Sequence, residues 1–290
     1  MSVENMNSRS TRPDSTVEST LVAANERRSD APRVSIVVPA KNEARNLPYV
    51  LPKLPEDCEI ILVDGHSTDD TVMVAQRLRP DVVVITQTRT GKGNALACGF
   101  EATSGDFIVM IDADGSNDPD EIPRFVAALE QGADFAKGSR FLPGGGSQDI
   151  SAIRRVGNFC LNKIVNVLYG TPYTDLCYGY NAFRRHCLRV MKLNASDIQG
   201  SDSGQMLWGD GFEVETLITV RLAKAGLTVT EVPSFEALRS YGSSNLNAFS
   251  DGLRVLRTIH AERKGSEQDS QADAAWPKEK TDLSLVKEAS

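Results

Sequence analysis

Two aspartates one residue apart, Asp112 and Asp114, have the clearest potential for chemistry in this chain. They follow an apolar run in the segment MIDADGSNDPDEIP, residues 110–123. Side chains two positions apart in an extended segment point to the same side, so the two carboxylates would share a small volume and repel each other. A divalent ion such as Mg²⁺ or Mn²⁺ removes this conflict, because it prefers hard oxygen ligands and keeps positions for water and substrate phosphates. The alternative is local: Asp114-Gly115 forms a turn and Asp112 caps nearby backbone amides.

The segments around this pair predict the elements that hold it. Short β-branched runs alternate with segments of helical spacing, which is typical of an α/β domain with a mostly parallel sheet. Five runs are predicted as central strands: RVSIVVPA, EIILVD, DVVVIT, DFIVMID and DFAKGS. The clearest helix follows Asp118 as N-cap and Pro119 as first residue, with apolar side chains at Ile122, Phe125, Val126 and Leu129.

Polar residues follow three of the predicted strands. They are the clusters Pro39–Glu43, Asp64–Ser67 and Asp112–Asp114. Ligands of open α/β sheets bind beyond the carboxyl ends of the strands, so we expect the three clusters to meet at one rim. The first strand is followed by neither a Walker lysine loop nor G-x-G-x-x-G, which argues against a P-loop or a dinucleotide site.

Composition excludes several classes of protein. The chain has 290 residues with 32 basic and 39 acidic side chains, and its net charge of −7 argues against a nucleic acid as the main partner. Its five cysteines are widely spaced without a zinc-binding pattern, as expected in a reducing cytoplasm. No apolar run approaches the roughly 18 residues of a transmembrane span, so we expect a soluble or peripherally attached protein.

The chain resembles family 2 glycosyltransferases of the GT-A fold in five motifs that occur in the same order: VSIVVPAKNEARNLP, ILVDGHSTDDT, GKGNALACGF, IVMIDADGSNDPDEIPRFV and GADFAKGSRFLPGGG. Three later segments are similar to the dolichol-phosphate mannosyltransferase and polyprenyl-phosphate glycosyltransferase branch: DLCYGYNAFRR, GFEVETLITVRLAKAGLTVTEVPS and RSYGSSNLN. The resemblance implies an inverting, metal-dependent transfer of a hexose from a nucleotide diphosphate sugar, of the GDP-mannose or UDP-glucose type, to polyprenyl or dolichyl phosphate. A GT-A domain is then expected over residues 33–240, with an amphipathic helix of the same domain over 241–264 and disordered tails over 1–32 and 265–290.

The resemblance also implies roles for individual residues. The donor nucleotide sugar would be bound by Pro39, Ala40, Glu43, Asp64 and Lys92, and Asp112 and Asp114 would hold the Mg²⁺ or Mn²⁺ ion that bridges its diphosphate. Contacts to substrate phosphates are implied for Arg140, Arg154, Arg155, Asn158 and Arg239. Asp114, Arg140 and Arg239 would be the catalytic residues. Ser116 stands where the branch often has glutamine, and Asn245 stands where it commonly has lysine.

The acceptor decides whether a general base is needed. A phosphate acceptor arrives as an anion and needs only cations to orient it, and arginine suits this role. The alternative acceptor is a hydroxyl of a soluble metabolite or glycan, which would need a base. The candidates are Asp175, Asp210, Glu213 and Glu215, of which Asp210 and Glu213 could instead be charges that suit the start of a helix. A non-catalytic module that binds a nucleotide sugar is a further alternative.

Two segments have apolar stripes at helical spacing that either pack on the domain or touch a bilayer. NFCLNKIVNVLYG places Leu161, Ile164, Val165 and Leu168 on one face, and NAFSDGLRVLRTIHAER places Phe249, Leu253, Leu256 and Ile259 likewise. The second segment also has arginines for anionic headgroups. We expect a cytoplasmic protein, and the second alternative would add peripheral contact to the cytoplasmic face of the membrane.

Overall fold

The computed structural model describes residues 32–195, 206–242 and 248–264. The tails predicted over 1–32 and 265–290 lie outside these ranges, apart from Pro32. No helix among the described residues is long and apolar enough to cross a membrane.

A seven-stranded mixed sheet forms the centre of the domain. Its strands are β1 (Val34–Ala40), β2 (Glu59–Asp64), β3 (Val83–Thr86), β4 (Phe107–Met110), β5 (Phe135–Ser139), β7 (Asn181–Arg184) and β8 (Val229–Pro233), in the order β3-β2-β1-β4-β7-β5-β8. All neighbours are parallel except β7, which runs antiparallel to β4 and β5. The five predicted strands and the mostly parallel sheet are thus confirmed. The segment of β7, NAFR, lacks the continuous apolar run typical of a central strand, so the sequence pattern did not predict it. A small second sheet pairs β6 (Gly146–Ser147) with β9 (Phe235–Glu236).

Helices cover both faces of the large sheet. They are α1 (Leu47–Val50), α2 (Thr71–Leu78), α3 (Lys92–Ala102), α4 (Ile122–Glu130), α5 (Ala152–Tyr169), α6 (Leu188–Met191), α7 (Val214–Lys224) and α8 (Ala248–Lys264). One apolar core joins the sheet to α1, α2 and α4, and a second joins it to α3, α6 and α7. This layering buries the central strands on both faces, which explains their nearly continuous apolar sequences.

Helix α4 follows the aspartate pair as predicted. The Asp118 side chain accepts a hydrogen bond from the Asp120 backbone N–H at 3.1 Å, and a short 3₁₀ turn beginning at Pro119 leads into the helix. Ile122, Phe125 and Leu129 are fully buried in the first core. Because α4 is fixed in this way, the loop between β4 and α4 is held at the carboxyl edge of the sheet.

Helices α5 and α8 pack together beside α7 over a third, smaller core. Ser151 caps α5 by accepting a hydrogen bond from the Arg154 N–H, and Gly170 ends the helix with φ 67°, a left-handed conformation that glycine adopts without strain.

The two apolar stripes predicted on this pair of helices are divided between the core and the surface. Leu161, Val165 and Ile259 lie in the third core, and Leu168 packs against it. These side chains point inward because the partner helices supply an apolar surface that the sequence pattern alone does not show. Ile164, Leu253 and Leu256 are exposed, whereas the Phe249 side chain lies outside the described part of the molecule.

Candidate active site

The loops that follow β1 and β2 are joined by hydrogen bonds. The Gly65 N–H donates to the Ala40 carbonyl at 2.8 Å, the Asn42 N–H to Ser67 Oγ at 2.9 Å, and the Thr68 N–H to Asn42 Oδ1 at 2.7 Å. Asn42 has φ 58°, in the left-handed region that asparagine tolerates better than most residues. These bonds bring two of the three polar clusters to one rim, as the sequence predicts.

A cavity of about 1170 Å³ lies at this rim and reaches the aspartate pair. Ten of the predicted site residues line it: Pro39, Ala40, Glu43, Lys92, Asp112, Asp114, Arg140, Arg154, Asn158 and Arg239. Asp64 and Arg155 lie outside the lining. Asp64 is buried, and its carboxylate accepts a long hydrogen bond of 3.3 Å from the Ser67 N–H, so it supports the loop behind the cavity wall.

Asp112 forms an ion pair with Lys92, the first residue of helix α3. Lys92 Nζ, from the first turn of α3, lies 2.7 Å from Asp112 Oδ1 and 3.0 Å from Glu215 Oε1 of α7. Burial opposes the charge on the lysine, but the two carboxylates outweigh it and raise the pKa of Lys92. Burial raises the pKa of Glu215, which is only 5% exposed. Lys92 therefore stays protonated and forms ion pairs with two carboxylates at once.

Asp114 combines the local turn with a second ion pair. Its Oδ1 accepts a hydrogen bond from the Ser116 N–H at 2.9 Å, and its Oδ2 lies 2.8 Å from Arg239 Nη2. Arg239 also lies 3.4 Å from Glu43 Oε1, and burial raises the pKa of Glu43. The Ser240 N–H donates to the Asp114 carbonyl at 3.1 Å, which holds the arginine segment against the aspartate loop. The repulsion between the two aspartates is thus relieved by two basic residues that are distant in sequence.

The donor set at this end of the cavity suits a divalent ion. Four carboxylates face two cations there: Glu43, Asp112, Asp114 and Glu215 against Lys92 and Arg239. The excess of negative charge matches one Mg²⁺ or Mn²⁺ ion, and carboxylate oxygens are the ligands that these ions prefer. Among the described residues no group of three or more His, Cys, Asp or Glu side chains is arranged to hold a metal. The ion would therefore need one or two carboxylates together with diphosphate oxygens, which is the usual way that proteins bind Mg²⁺.

Arg140 is locked into the cavity wall. Its Nε and Nη2 donate to the Asp175 carboxylate at 2.7 and 2.9 Å, and its Nη1 donates to Glu236 Oε2 at 3.0 Å. Its side chain is 4% exposed, and although burial opposes the charge, Asp175 and Glu236 raise the pKa of Arg140. The guanidinium also lies 4.7 Å from the ring centroid of Tyr178. These contacts use most of the five N–H donors of the guanidinium, so few remain for a substrate phosphate.

The three predicted phosphate contacts of α5 differ in their availability. Arg154 Nη1 pairs with Asp149 at 2.8 Å, and Arg155 is exposed with its guanidinium 5.8 Å from the ring centroid of Phe141. Asn158 is buried, and its Oδ1 accepts a hydrogen bond from a backbone N–H. Its Nδ2 has no hydrogen-bond partner among the described residues. Asn158 therefore offers an uncommitted donor in the cavity wall.

The four candidate bases are engaged elsewhere. Only Glu215 lines the cavity, and it is held by Lys92. The other three are buried and bound within the protein: Asp175 by Arg140, Asp210 by Arg89 and Glu213 by the Gly209 N–H. Glu215 and Asp175 thus hold the lining residues Lys92 and Arg140, whereas Asp210 and Glu213 form their contacts away from the cavity lining.

The sequence pattern did not predict the close contact that positions Lys92. The Gly93 N–H donates to the Asp210 carbonyl at 2.7 Å, and a Cβ at position 93 would lie 1.8 Å from the Gly209 carbonyl oxygen. Gly91 has φ 119°, a conformation that L side chains rarely adopt. The two glycines that flank Lys92 in GKG are the signal that such a close backbone approach leaves in a sequence.

Comparisons with known proteins agree with this architecture. The model of the family Glycosyl transferase family 2 matches residues 35–191. Polyprenol monophosphomannose synthase from Mycolicibacterium smegmatis is 31% identical over 226 residues, which cover 74% of this chain and 81% of that protein. Undecaprenyl-phosphate mannosyltransferase from Micrococcus luteus is 31% identical over 234 residues, which cover 77% of this chain and 91% of that protein.

The fold is similar to that of solved structures as well. One is glucosyl-3-phosphoglycerate synthase from Mycobacterium tuberculosis in complex with Mn²⁺, UDP-glucose and phosphoglyceric acid. It superposes with a TM-score of 0.61 at 22% identity and covers 82% of each chain, which supports the GT-A fold. From its family motifs, its fold and its similarity to enzymes of the polyprenyl-phosphate branch, this chain belongs to glycosyl transferase family 2 and is a glycosyltransferase.

Proposed function

We propose that this enzyme transfers a hexose, with inversion, from a nucleotide diphosphate sugar to polyprenyl or dolichyl phosphate in the presence of Mg²⁺ or Mn²⁺. The observation that carries the proposal is the composition of one continuous cavity. Its polar end contains Asp112, Asp114 and Arg239, and its other end is lined by apolar residues of α5 and α8, among them Ile153 and Leu253. A polar donor and an amphiphilic acceptor match these two ends.

The donor would occupy the polar end. Pro39, Ala40 and Glu43 line the part assigned to the base and ribose, while Asp64 supports its loop from behind. Asp112 and Asp114 would hold the ion, which when bound supplies electrostatic stabilisation of the charge that develops on the leaving diphosphate. Lys92 orients Asp112, because its ammonium group lies between the carboxylates of Asp112 and Glu215.

The acceptor phosphate would lie between the donor and α5. The Asn158 amide, whose Nδ2 has no hydrogen-bond partner among the described residues, and Arg154, which also lines the cavity, would orient it. Arg239 can reach a phosphate by exchanging its contact with Asp114. Arg140, held by Asp175, is assigned as a fixed positive charge of the cavity wall.

Transfer then requires one displacement. An oxygen of the acceptor phosphate forms a bond to the anomeric carbon, while the bond from that carbon to the diphosphate breaks and its electron pair leaves with the diphosphate. The acceptor is already an anion, so no proton has to be removed. The engagement of all four candidate bases favours this acceptor over a hydroxyl, which needs a base. The names of the two mannosyl-transferring relatives support the same acceptor class.

The cysteines support a reducing compartment. All five cysteines are described and free: Cys58, Cys98, Cys160, Cys177 and Cys187. Disulfides are rare in the cytosol, so we assign the enzyme to the cytoplasm, at the cytoplasmic face of the membrane where a lipid acceptor would be reached.

The test is a transfer assay with radiolabelled GDP-mannose or UDP-glucose, polyprenyl phosphate and Mn²⁺. We expect a butanol-extractable product that is lost on chelation and reduced at least about 100-fold in Asp114→Asn. Asp120→Asn, which changes an exposed acid near the same loop, should keep the activity. Donor binding without transfer to any acceptor would identify a binding module instead. A labelled product found only with hydroxyl acceptors would replace the lipid phosphate by the soluble alternative.

A further inference from the structure

Arg154, which we assign to the acceptor phosphate, already has an anionic partner within the chain. Its Nη1 lies 2.8 Å from Asp149 Oδ2, and both residues line the cavity. Helix α5 has three basic residues and no acid, so the carboxylate beside its first turn comes from Asp149, just before the helix. A carboxylate therefore occupies the arginine that an acceptor phosphate would need.

The loop that precedes α5 holds Asp149 in this place. Ser147 Oγ accepts hydrogen bonds from the Asp149 N–H at 3.1 Å and from the Ile150 N–H at 2.9 Å. Ser147 in turn donates to Glu236, which forms an ion pair with the buried Arg140. These bonds fix the backbone of Asp149, whereas its carboxylate contacts Arg154. The carboxylate can therefore turn away from Arg154 while the loop stays in place.

The pair of Asp149 and Arg154 is open enough to exchange partners. Their side chains are 38% and 24% exposed, whereas Arg140, which two carboxylates hold, is only 4% exposed. Water screens a partly exposed ion pair, which makes it weak. A phosphate has more charge than a carboxylate and can accept two parallel hydrogen bonds from a guanidinium. An incoming phosphate can therefore displace Asp149 from Arg154.

We propose that Asp149 is an exchangeable counter-ion of the acceptor site, which holds Arg154 while the site is empty and is displaced by the acceptor phosphate. The inference rests on the function proposed above, because that function places the phosphate at Arg154. Asp149 then has two effects. It keeps the arginine oriented toward the cavity between turnovers, and it lowers the affinity of the site for the acceptor.

The reaction itself shifts this competition toward Asp149. A phosphate monoester carries about two negative charges at pH 8, because its second pKa is about 6. Transfer converts it into a diester with one negative charge, and the other charge leaves with the nucleotide diphosphate. The attraction of the lipid head group to Arg154 is then smaller, while the charge of Asp149 is unchanged. Asp149 should therefore recover Arg154 and promote release of the product.

Calorimetric titration of the full chain with a water-soluble ten-carbon prenyl phosphate tests the exchange without a transfer step. Asp149→Asn keeps the size of the side chain and removes its charge, so the dissociation constant should fall about fivefold. The matched control Asp120→Asn removes the charge of another exposed acid and should bind like the parent. A dissociation constant that is unchanged or higher in Asp149→Asn would overturn the proposal, because a competing group must weaken binding.

A double variant separates competition for Arg154 from general repulsion of the phosphate. In Arg154→Gln the carboxylate has no arginine to occupy, so adding Asp149→Asn should tighten binding by about twofold or less. An equal gain in the parent and in Arg154→Gln would overturn the proposal, because Asp149 would then act on the phosphate directly.

Steady-state kinetics separates this inference from the proposed function. In Asp149→Asn the KM for the prenyl phosphate should fall, kcat should not rise, and inhibition by added lipid product should become stronger. Loss of a merely structural contact would not lower KM. A parent that transfers to the prenyl phosphate, together with unchanged KM and product inhibition in Asp149→Asn, would overturn the inference and leave the function. A parent that shows the expected binding effect of Asp149 but transfers no sugar to the prenyl phosphate would refute the function and leave the exchange.

Discussion

Replacing Arg239 by glutamine should have two opposite effects. In the donor-free enzyme, Arg239 occupies Asp114 Oδ2 at 2.8 Å, which is an oxygen that we assign to the ion. Its removal should therefore tighten the binding of Mn²⁺ alone. Transfer should nevertheless become slower, because the same guanidinium is assigned to a substrate phosphate. A residue with only a structural role would not separate the two measurements in this way.

The size of the first effect follows from the geometry. An ion bound to Asp114 Oδ2 at about 2.1 Å would lie within about 5 Å of Arg239 Nη2. Repulsion between a double and a single charge over about 5 Å is about 1.7 kcal/mol even in the dielectric of water. The Arg239 side chain is only 23% exposed, so this choice of dielectric is conservative. The dissociation constant of Mn²⁺ should fall roughly tenfold or more. Loss of the phosphate contact should slow transfer by about 100-fold.

Electron paramagnetic resonance of free Mn²⁺ measures the affinity without nucleotide, and kcat/KM is measured separately with donor and acceptor. Arg239→Lys keeps the charge and should bind Mn²⁺ like the parent. Arg33→Gln removes an exposed arginine that lies 4.0 Å from Asp106 and should change neither quantity. An unchanged or weaker Mn²⁺ affinity in Arg239→Gln would refute the reasoning, because the arginine and the ion would then not share Asp114.

Three further predictions concern the framework of the site. Lys92→Met leaves the buried Glu215 carboxylate unpaired and should lower the free energy of unfolding in urea by about 3 to 5 kcal/mol; adding Glu215→Gln should recover part of this loss, and no recovery would contradict the pairing. Gly93→Ala would drive a Cβ into a backbone carbonyl and should lower the thermal midpoint, whereas Gly157→Ala, whose Cβ meets nothing within 4 Å, should raise it slightly; equal midpoints would contradict the packing. Burial raises the pKa of Cys177 to about 12, so iodoacetamide at pH 8 should modify Cys177 in the folded enzyme far more slowly than the exposed Cys160, as followed by peptide mass spectrometry; equal rates for the two thiols would contradict this.

The sequence predicted most of the central strands, but it predicted few of the contacts within the site. The five parallel strands β1 to β5 and helix α4 were predictable because their signals are local: continuous apolar runs, and an Asp-Pro start followed by helical spacing, whereas the parallel edge strand β8 was not predicted. Strand β7 was not predictable either, because its four residues NAFR pair antiparallel between β4 and β5 and have no pattern of their own. The sequence likewise left open whether the apolar stripes of α5 and α8 pack on the domain or face outward. Which side of an amphipathic helix faces inward depends on the helices beside it.

The aspartate pair illustrates the same division within the site. Its position at a strand end follows from the sequence, but its partners do not. Lys92 lies twenty residues before Asp112, and Arg239 lies far beyond Asp114. No local pattern connects residues at such separations, and only the sheet order brings them within hydrogen-bond distance. Arg140 shows the converse, because its motif suggested a substrate contact whereas the folded chain surrounds it with Asp175 and Glu236.

The amino-acid sequence alone determined the fold class, the rim at which the polar loops meet and the family. Each of these follows from local patterns: apolar strand runs, polar residues directly after the strands, and family motifs. Tertiary structure decided which charges are paired, which donors are free and which helix faces are exposed. These properties depend on distances between segments remote in sequence, and on how much water is excluded between them. They therefore emerge only when the sheet and its helices pack.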